Sequence, residues 1–275
     1  MSNSSIHRNA SQLASLLAVS GADKMGTLPL KGIFNQPDKS RIAFLFEFPE
    51  KTQREPPSSL HELLLQRNKN ISPVLELGMR FKIAHFLAKT LRMLHIHSWI
   101  HKNLSSHTLV FFKDRQEGNH VYQQPFLVDF EFSRPDTGSS LCITDNDPER
   151  NLYRRPKIQI LDRPAFSRRD DLYSLGAVPL EITVWQTALE IIDEYITDPQ
   201  RHSNPDNIHN LYLAVAKQCV PAEMGNAFTS AVLACLTDEL EDKIFSAEFP
   251  EVSSEKLCSN WWPIWEGFAI REIVV

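Results

Sequence analysis

Residues 94–112, LHIHSWIHKNLSSHTLVFF, form the most informative segment of the sequence. Four histidines surround one tryptophan there and are followed by an apolar run. His97 and His101 are four residues apart, the separation at which one helix face presents two imidazoles to zinc. Trp99 and Ile100 between them indicate, however, that the helix has already ended, and the glutamate of an H-E-x-x-H motif is absent. The early end of the helix and the missing glutamate therefore favour histidines that support a loop over histidines that bind a metal.

The segments on both sides of this stretch have clear periodicities. From Leu77 to His97 the apolar residues recur on one stripe, which predicts a long amphipathic helix. After the stretch, TLVFF (108–112) and PFLVDFEF (125–132) are predicted as short buried strands separated by a charged turn. RRDDLYSLGAVPLEITVW (168–185) is apolar enough to predict a helix that is buried on most sides. The histidine-rich loop therefore lies between a long helix and a strand.

The first third of the chain predicts a small sheet beside one helix. Residues 5–19 have helical spacing, and LPLKGIF (28–34) and RIAFLFEFPE (41–50) are strand-like runs joined by turn residues. The polar linker that follows ends in Ser58 and Ser59, either of which can N-cap the next helix. Further helices are predicted over 186–197, 206–219 and 223–236. Together these elements predict an α+β fold with a mostly helical bulk.

Composition and charge narrow the function classes. The 275 residues are 42% hydrophobic and 23% charged, which is ordinary globular composition. The formal charge of −5 favours neither nucleic acid nor an anionic membrane as a partner. Four widely spaced cysteines without a C-x-x-C pair indicate reduced thiols, and the amino terminus lacks the basic region of a signal peptide. We therefore expect a cytoplasmic protein without a membrane span that does not bind nucleic acid.

Three further blocks follow the histidine-rich stretch in a recognisable order. They are LVDFEFSRPD (127–136), NLYRRP (151–156) and DLYSLGAVPLEITVW (171–185). With these blocks the chain resembles the protein kinase superfamily, and most closely the kinase-like domain of fungal proteins that carry a HeLo (prion-inhibition and propagation) domain. The blocks span residues 94–185, and weaker similarity extends from about residue 5 to the end.

The resemblance implies a protein-kinase-like fold with a mainly helical C-lobe and a truncated small-lobe sheet. Residues 1–50 are then a remnant of the N-lobe, with one helix, two to three strands and the hinge, and residues 51–275 form the helical C-lobe. The first 50 residues contain neither a glycine-rich phosphate loop nor a strand lysine in a V-A-I-K-like context. Two origins of this truncation stay open: an upstream domain of a longer protein supplies the missing strands, or the domain lacks them.

The resemblance assigns the histidine-rich loop to the position of a catalytic loop. His101 matches the histidine that packs beneath the Asp-Phe motif, and Asp171 matches the buried helix aspartate that braces the loop backbone. Asn103 stands where the family has its catalytic aspartate, and an amide cannot take up a proton at neutral pH. Asp129 matches the metal-binding aspartate. Two roles stay open for it: a structural carboxylate that hydrogen-bonds the loop at His101, or a metal ligand when nucleotide and Mg²⁺ bind.

Other catalytic positions of the family are replaced as well. Ser105 takes the place of the lysine that steadies the transferring phosphate, and Thr108 that of the asparagine that holds the second magnesium. Glu131 stands where the glycine of D-F-G is expected. Pro156 with Lys157 replaces the A-P-E motif, so its buried Glu–Arg ion pair is lost. Because each part contributes orders of magnitude to phosphoryl transfer, the resemblance implies a domain deficient in catalysis.

The remaining features concern ligands. The run that ends at Glu47 and Phe48 matches the hinge, where backbone groups could meet an adenine. Without a glycine-rich lid such a pocket is open to water, so any binding of ATP and Mg²⁺ would be weak, and no cofactor is required. Arg154, Arg155 and Lys157 form a basic run that either receives a phosphorylated or acidic partner or is a solvated surface.

The function implied by the resemblance is that of a pseudokinase. It would serve as an interaction or regulatory module for protein partners, in a family tied to fungal self/non-self recognition and programmed cell death. The alternative is an ATP-binding or active serine/threonine kinase with an atypical catalytic loop. A small-molecule phosphotransferase of related fold is disfavoured by Asn103, because those enzymes also keep the aspartate. The closing WWPIWEGF is predicted as core or a helix-packing edge, with an exposed interaction patch as the alternative.

Overall fold

The structure, a computed structural model, describes residues 3–20, 25–36, 41–68, 74–136, 147–160, 163–196 and 204–237. This part of the chain is α+β, mostly helical with small antiparallel sheets, and the predicted α+β class is confirmed. Its helices are α1 (Asn3–Ser20), α2 (Leu60–Asn68), α3 (Leu77–Ile96), α4 (Pro148–Asn151), α5 (Arg168–Val184), α6 (Ala188–Tyr195), α7 (Pro205–Gln218) and α8 (Val220–Leu236). Its strands are β1 (Leu30–Gln36), β2 (Arg41–Phe46), β3 (Ser58–Ser59), β4 (Trp99–Ile100), β5 (Leu109–Phe111), β6 (Phe126–Leu127) and β7 (Arg134–Pro135).

The first unit of the fold consists of α1 and the antiparallel hairpin of β1 and β2. Leu13 and Leu17 are the buried residues of α1, and Phe44 and Phe46 of β2 are half-buried and stack with ring centroids 6.4 Å apart. The predicted helix and both predicted strands are confirmed. The second strand ends at Phe46, earlier than predicted and shortly before Pro49, which has no amide hydrogen for a ladder.

The segment between α1 and β1 fastens this unit to the helical bulk at Gly26. The carbonyl of Gly26 accepts a hydrogen bond from the Leu127 amide at 2.9 Å, and Thr27 forms a bridge with the same residue. Gly26 has a left-handed φ of 64°, and a Cβ there would overlap Thr90 Oγ1 and come within 2.7 Å of the Phe86 ring. A side chain is therefore excluded at this position by both the backbone and the neighbours.

The second sheet has the strand order β3-β5-β6, and β4 pairs with β7. The strands predicted at 108–112 and 125–132 are confirmed, although β5 and β6 are shorter than the apolar runs. The predicted linker contains β3, and Ser59 rather than Ser58 caps α2. The Glu62 amide donates to Ser59 Oγ at 3.1 Å while the Ser59 amide donates to the Glu62 carboxylate at 2.8 Å.

Helix α5 runs through the helical bulk and is buried along most of its length, as predicted. Gly176 lets α8 approach closely, since a Cβ there would lie 2.9 Å from Leu236 and 3.0 Å from Cys235. The helix ends at Val184, and its C-cap residue Trp185 is buried and has a left-handed φ of 55°. Helix α3 ends at Ile96, which confirms that the helix stops before the tryptophan of the histidine-rich stretch.

Two features of the region before α5 differ from the sequence prediction. This region contains α4 and a 3₁₀ turn at Pro156–Ile158, where no helix is predicted from the sequence. Arg155 is wrong as a solvated surface residue: its side chain is 11% exposed and its Nε lies 2.6 Å from the buried Asp170 carboxylate. Lys157 of the same run is exposed. The predicted Trp-rich end lies outside the described residues.

Within the described ranges, no single helix has both the length and the apolarity to cross a membrane. By length and composition alone, two bent helix pairs, α5 with α6 and α7 with α8, pass the same test together.

Candidate functional site

The candidate site is the loop of residues 101–108, which we call the central loop. It follows β4, whose pairing with β7 sets where the loop begins, and it closes in the 3₁₀ turn Ser106–Thr108 before β5. The first turn of α5 lies beneath it. A capping box between Ser167 and Asp170 starts this helix and thereby orients Asp171 in its first turn.

Asp171 holds the beginning of the central loop by its backbone. Its carboxylate accepts hydrogen bonds from the His101 amide at 2.7 Å and from the Lys102 amide at 2.8 Å. His95 Nε2, at the end of α3, lies 3.1 Å from the same carboxylate. Asp171 and His95 are both buried. This carboxylate thus joins α5, α3 and the central loop, which is the contact required of a brace.

His101 is fully buried and packs as part of the loop architecture. Its Nε2 lies 3.1 Å from the Val128 carbonyl, and its ring meets the edge of the Phe130 ring at 5.1 Å between centroids. Burial lowers the pKa of His101, although Asp171 and Asp129 act in the opposite direction. A neutral imidazole that donates from Nε2 to the carbonyl satisfies this geometry.

Asn103 and Asp129 form the contact at the chemical centre of the site. Asn103 Nδ2 donates to Asp129 Oδ2 at 2.6 Å, and Asn103 is 8% exposed. Asp129 has a left-handed φ of 64°, and Lys102, just before Asn103, has one of 68°. Such non-glycine conformations are uncommon and cluster at functional sites. Asp129 was expected to hydrogen-bond the loop at His101. This partner is wrong, because the loop residue that donates to Asp129 is Asn103.

Ser105 and Thr108 turn their hydrogen-bonding groups into the central loop itself. The Ser105 amide donates to Thr108 Oγ1 at 3.1 Å, and Thr108 Oγ1 donates to the Ser105 carbonyl at 3.0 Å. Both residues are buried. The Thr108 hydroxyl therefore joins the two ends of the 3₁₀ turn through the Ser105 backbone. Glu131, in contrast, is exposed.

Lys102 lies near the positive charges of several arginines, a grouping that the sequence pattern does not predict. Its Nζ lies 5.7 Å from the centre of the Phe166 ring, a cation–π contact. Burial, together with the nearby charges of Arg134 and Arg154, lowers the pKa of Lys102 to about 8. Arg134 is buried and donates to the Phe166 carbonyl at 2.7 Å. The only signal in the sequence was the number of arginines after Asp129, which is too common a feature to assign contacts.

The two hinge residues lie in a setting that differs from the prediction. The Glu47 amide already donates to the Pro29 carbonyl at 2.8 Å, so this backbone donor is not available to a ligand. The Glu47 carboxylate forms an exposed ion pair with Lys31. Phe48 is 46% exposed and meets the edge of Phe112 at 5.8 Å between ring centroids. That backbone groups of Glu47 and Phe48 meet an adenine stays a prediction, in which the Glu47 amide takes no part while it donates to Pro29.

Glu181 was missed by the sequence reasoning although it touches the central loop. It is fully buried in α5, and its Oε1 accepts from Ser106 Oγ at 3.0 Å, from the Tyr153 hydroxyl at 2.9 Å and from the Ala188 amide at 2.8 Å. Burial raises the pKa of Glu181 to about 8, against the effect of these three hydrogen bonds. A glutamate within the apolar run of α5 was the available signal.

Within the described part of the chain, no group of three or more histidine, cysteine, aspartate or glutamate side chains could hold a metal ion. The chain matches no known protein-family model, and no curated protein matches it.

Proposed function

We propose that this chain is a catalytically deficient, protein-kinase-like domain that acts as an interaction or regulatory module for protein partners. Residues 1–50 are its N-lobe remnant and residues 51–275 its C-lobe. The observation that carries the proposal is the hydrogen bond from Asn103 Nδ2 to Asp129 Oδ2 at 2.6 Å. Asn103 stands where the family has its proton-accepting aspartate, and Asp129 where the family has its metal-binding aspartate. Because the Asn103 amide donates to the Asp129 carboxylate, one internal hydrogen bond replaces proton acceptance and metal binding.

The neighbouring residues support the same proposal. Phosphoryl transfer depends on metal ions that neutralise the phosphates and on a residue that accepts the hydroxyl proton. The Thr108 hydroxyl is engaged with the Ser105 backbone in the 3₁₀ turn. The amide of Glu47 is engaged with the carbonyl of Pro29. Groups at the positions that would meet the second magnesium and the adenine, the Thr108 hydroxyl and the Glu47 amide, therefore have partners within the chain.

The features that the chain retains are those that make a loop rigid. Asp171 holds two backbone amides of the central loop, and His101 packs on Phe130. Such a rigid, buried loop would hold the surface around it in one conformation, so little conformational entropy would be lost when another protein binds there. In line with the family it resembles, we propose a cytoplasmic role in fungal self/non-self recognition signalling.

A thermal-shift titration separates this proposal from the ATP-binding alternative, which the retained Asp129 carboxylate favours. We expect the melting temperature in millimolar MgATP to equal that in Mg²⁺ alone. A ligand present at a hundred times its Kd stabilises by about 2.7 kcal/mol, so even moderate binding is detectable. The alternative is supported if MgATP stabilises the wild type and Glu117→Ala, a change in an exposed turn, but not Asp129→Ala.

A phosphoryl-transfer assay with radiolabelled ATP tests the catalytic part separately. We expect no transfer to the chain itself or to a generic protein substrate. Transfer by the wild type that is lost in Asn103→Ala would show that the amide takes part in catalysis, and the proposed deficiency would then be wrong.

A further inference from the structure

The hairpin of β1 and β2 has two faces of different exposure. In its antiparallel register Gly32 lies opposite Leu45 and Phe34 lies opposite Ala43, so these four positions share one face. Phe34 is 56% and Leu45 is 54% exposed, whereas Phe44 on the other face packs against the core. An exposed apolar surface on a two-stranded hairpin is typical of an interaction site, since such hairpins gain stability from additional strands.

The outer edge of β2 is the edge at which a strand can be added. Among the described residues, the backbone of β2 hydrogen-bonds only with β1. Strand β1 is less suited to this role, because a register shift between Leu30 and Gly32 interrupts it, and such irregularities protect edges from pairing. β2 is regular from its first residue to its last.

The sequence along this edge, RIAFLFE (41–47), complements itself when it is read in opposite directions. We propose that a second copy of this chain pairs with it, β2 against β2, antiparallel about a two-fold axis at Phe44. In this register Arg41 lies opposite Glu47 of the second copy at both ends of the pair. Ala43 lies opposite Leu45 of the second copy, which places a small residue against a large one on the exposed face. A two-fold interface of this kind repeats each contact twice and closes after two copies.

Charge selects this arrangement over other pairings of the same edge. A parallel pairing in register would place Arg41 against Arg41 and Glu47 against Glu47, and like charges directly opposite are destabilising. Glu47 is free to take a new partner at little cost. Its ion pair with Lys31 is exposed, and such pairs contribute about 0–1 kcal/mol. The pairing needs no nucleotide, so it does not depend on the proposed function.

Sedimentation equilibrium over a range of protein concentrations tests the inference. We expect a monomer–dimer equilibrium for the wild type and at least a tenfold weaker dimer for Leu45→Lys, because an edge lysine opposes strand pairing. Phe34→Lys is the matched control: it makes the same kind of change on β1, away from the paired edge, and should leave the dimer constant unchanged. Both side chains are more than half exposed, so both variants should keep the wild-type circular dichroism.

A charge swap distinguishes this register from any other contact. Glu47→Arg should weaken the dimer, because it places two arginines opposite each other at both ends. Adding Arg41→Glu to that variant should restore the dimer, since the exchanged charges again face opposite signs. The inference is overturned if the wild type is monomeric at every concentration. It is also overturned if a dimer persists in Leu45→Lys, or if the double variant associates no better than Glu47→Arg alone.

Discussion

Two carboxylates lie on opposite sides of the central loop, and their surroundings differ in kind. Asp171 is buried and accepts from two backbone amides and faces a buried imidazole. Asp129 is exposed and accepts from one side chain, that of Asn103. Backbone donors are present whatever the sequence of the loop, so the first contact fixes the fold. A contact between two side chains is removed by one substitution. The Asn103–Asp129 contact can therefore change, and with it the chemistry of the site, while the fold persists.

The largest effect is expected for Asp171→Ala. The change leaves two buried backbone amides without an acceptor, and each unsatisfied buried group costs about 1–3 kcal/mol. We therefore expect the free energy of unfolding to fall by about 4 kcal/mol in total, measured by equilibrium unfolding in urea. Asp206→Ala, at an exposed position in α7, is the control and should cost about 1 kcal/mol or less. A loss of similar size in both variants would contradict the brace.

A third carboxyl, that of Glu181, is buried like that of Asp171 and contacts the same loop. Burial raises the pKa of Glu181 to about 8. Its folded pKa lies above the ordinary value of 4.5 for a glutamate, so the folded state binds the proton more tightly. The stability contributed by Glu181 is therefore complete below pH 4.5 and is lost as the pH rises towards 8.

Glu181→Gln should flatten this pH dependence. Each pH unit within the window contributes at most about 1.4 kcal/mol, so the wild type should lose a few kcal/mol that the variant keeps. The measurement is urea unfolding of both proteins at several pH values between 5 and 8, with the slope rather than the absolute stability compared. Equal slopes would show that Glu181 is ionised in the folded protein at neutral pH.

Asn103→Asp tests the contact at Asp129. It replaces a donor by a second carboxylate at the site of a 2.6 Å hydrogen bond. We expect a loss of about 2 kcal/mol at pH 7 from repulsion and the lost hydrogen bond, and partial recovery at acid pH, where one carboxyl binds a proton. The double variant Asn103→Asp with Asp129→Asn exchanges donor and acceptor and should recover most of the stability. Failure of the exchange to recover it would show that the pair is not energetically coupled.

The smallest effect is expected for Thr108→Val, which removes the hydroxyl that caps the 3₁₀ turn while keeping the side-chain shape. Loss of a cap of this type costs about 1 kcal/mol. Thr108→Ser retains the hydroxyl and serves as the control. A larger loss in the valine variant than in Asp171→Ala would mean that the turn, rather than the aspartate, holds the central loop.

Much of the secondary structure could be predicted because it follows from local patterns. Helices α1, α3 and α5 have apolar periodicity or a continuous apolar run, and the cap at Ser59 follows from the S-x-x-E spacing. The strand limits were less accurate. β5 and β6 are shorter than their apolar runs, because a run of buried residues marks burial and not the length of a hydrogen-bonded ladder.

The candidate site could be located from the sequence, but its contacts could not. His101, Asn103 and Asp129 were selected from motif positions, whereas the partner of Asp129 depended on which loop side chain reached it. Arg155 was expected on the surface and is ion-paired with Asp170, since a basic residue is buried only where the fold supplies an acid. Glu181 was not selected, because nothing in the local sequence shows that three donors converge on it.

Residue types and their spacing are enough to predict the order of elements, the α+β class and the chemical types at the central loop, including the amide of Asn103. These are properties of residue type and near spacing, which act within one turn or one strand. Only the packing of distant segments shows that Asn103 donates to Asp129, that Asp171 holds the loop backbone, and that, among the described residues, one edge of β2 has no strand beside it. Such contacts join residues far apart in the chain, and their geometry exists only once helices and strands have packed.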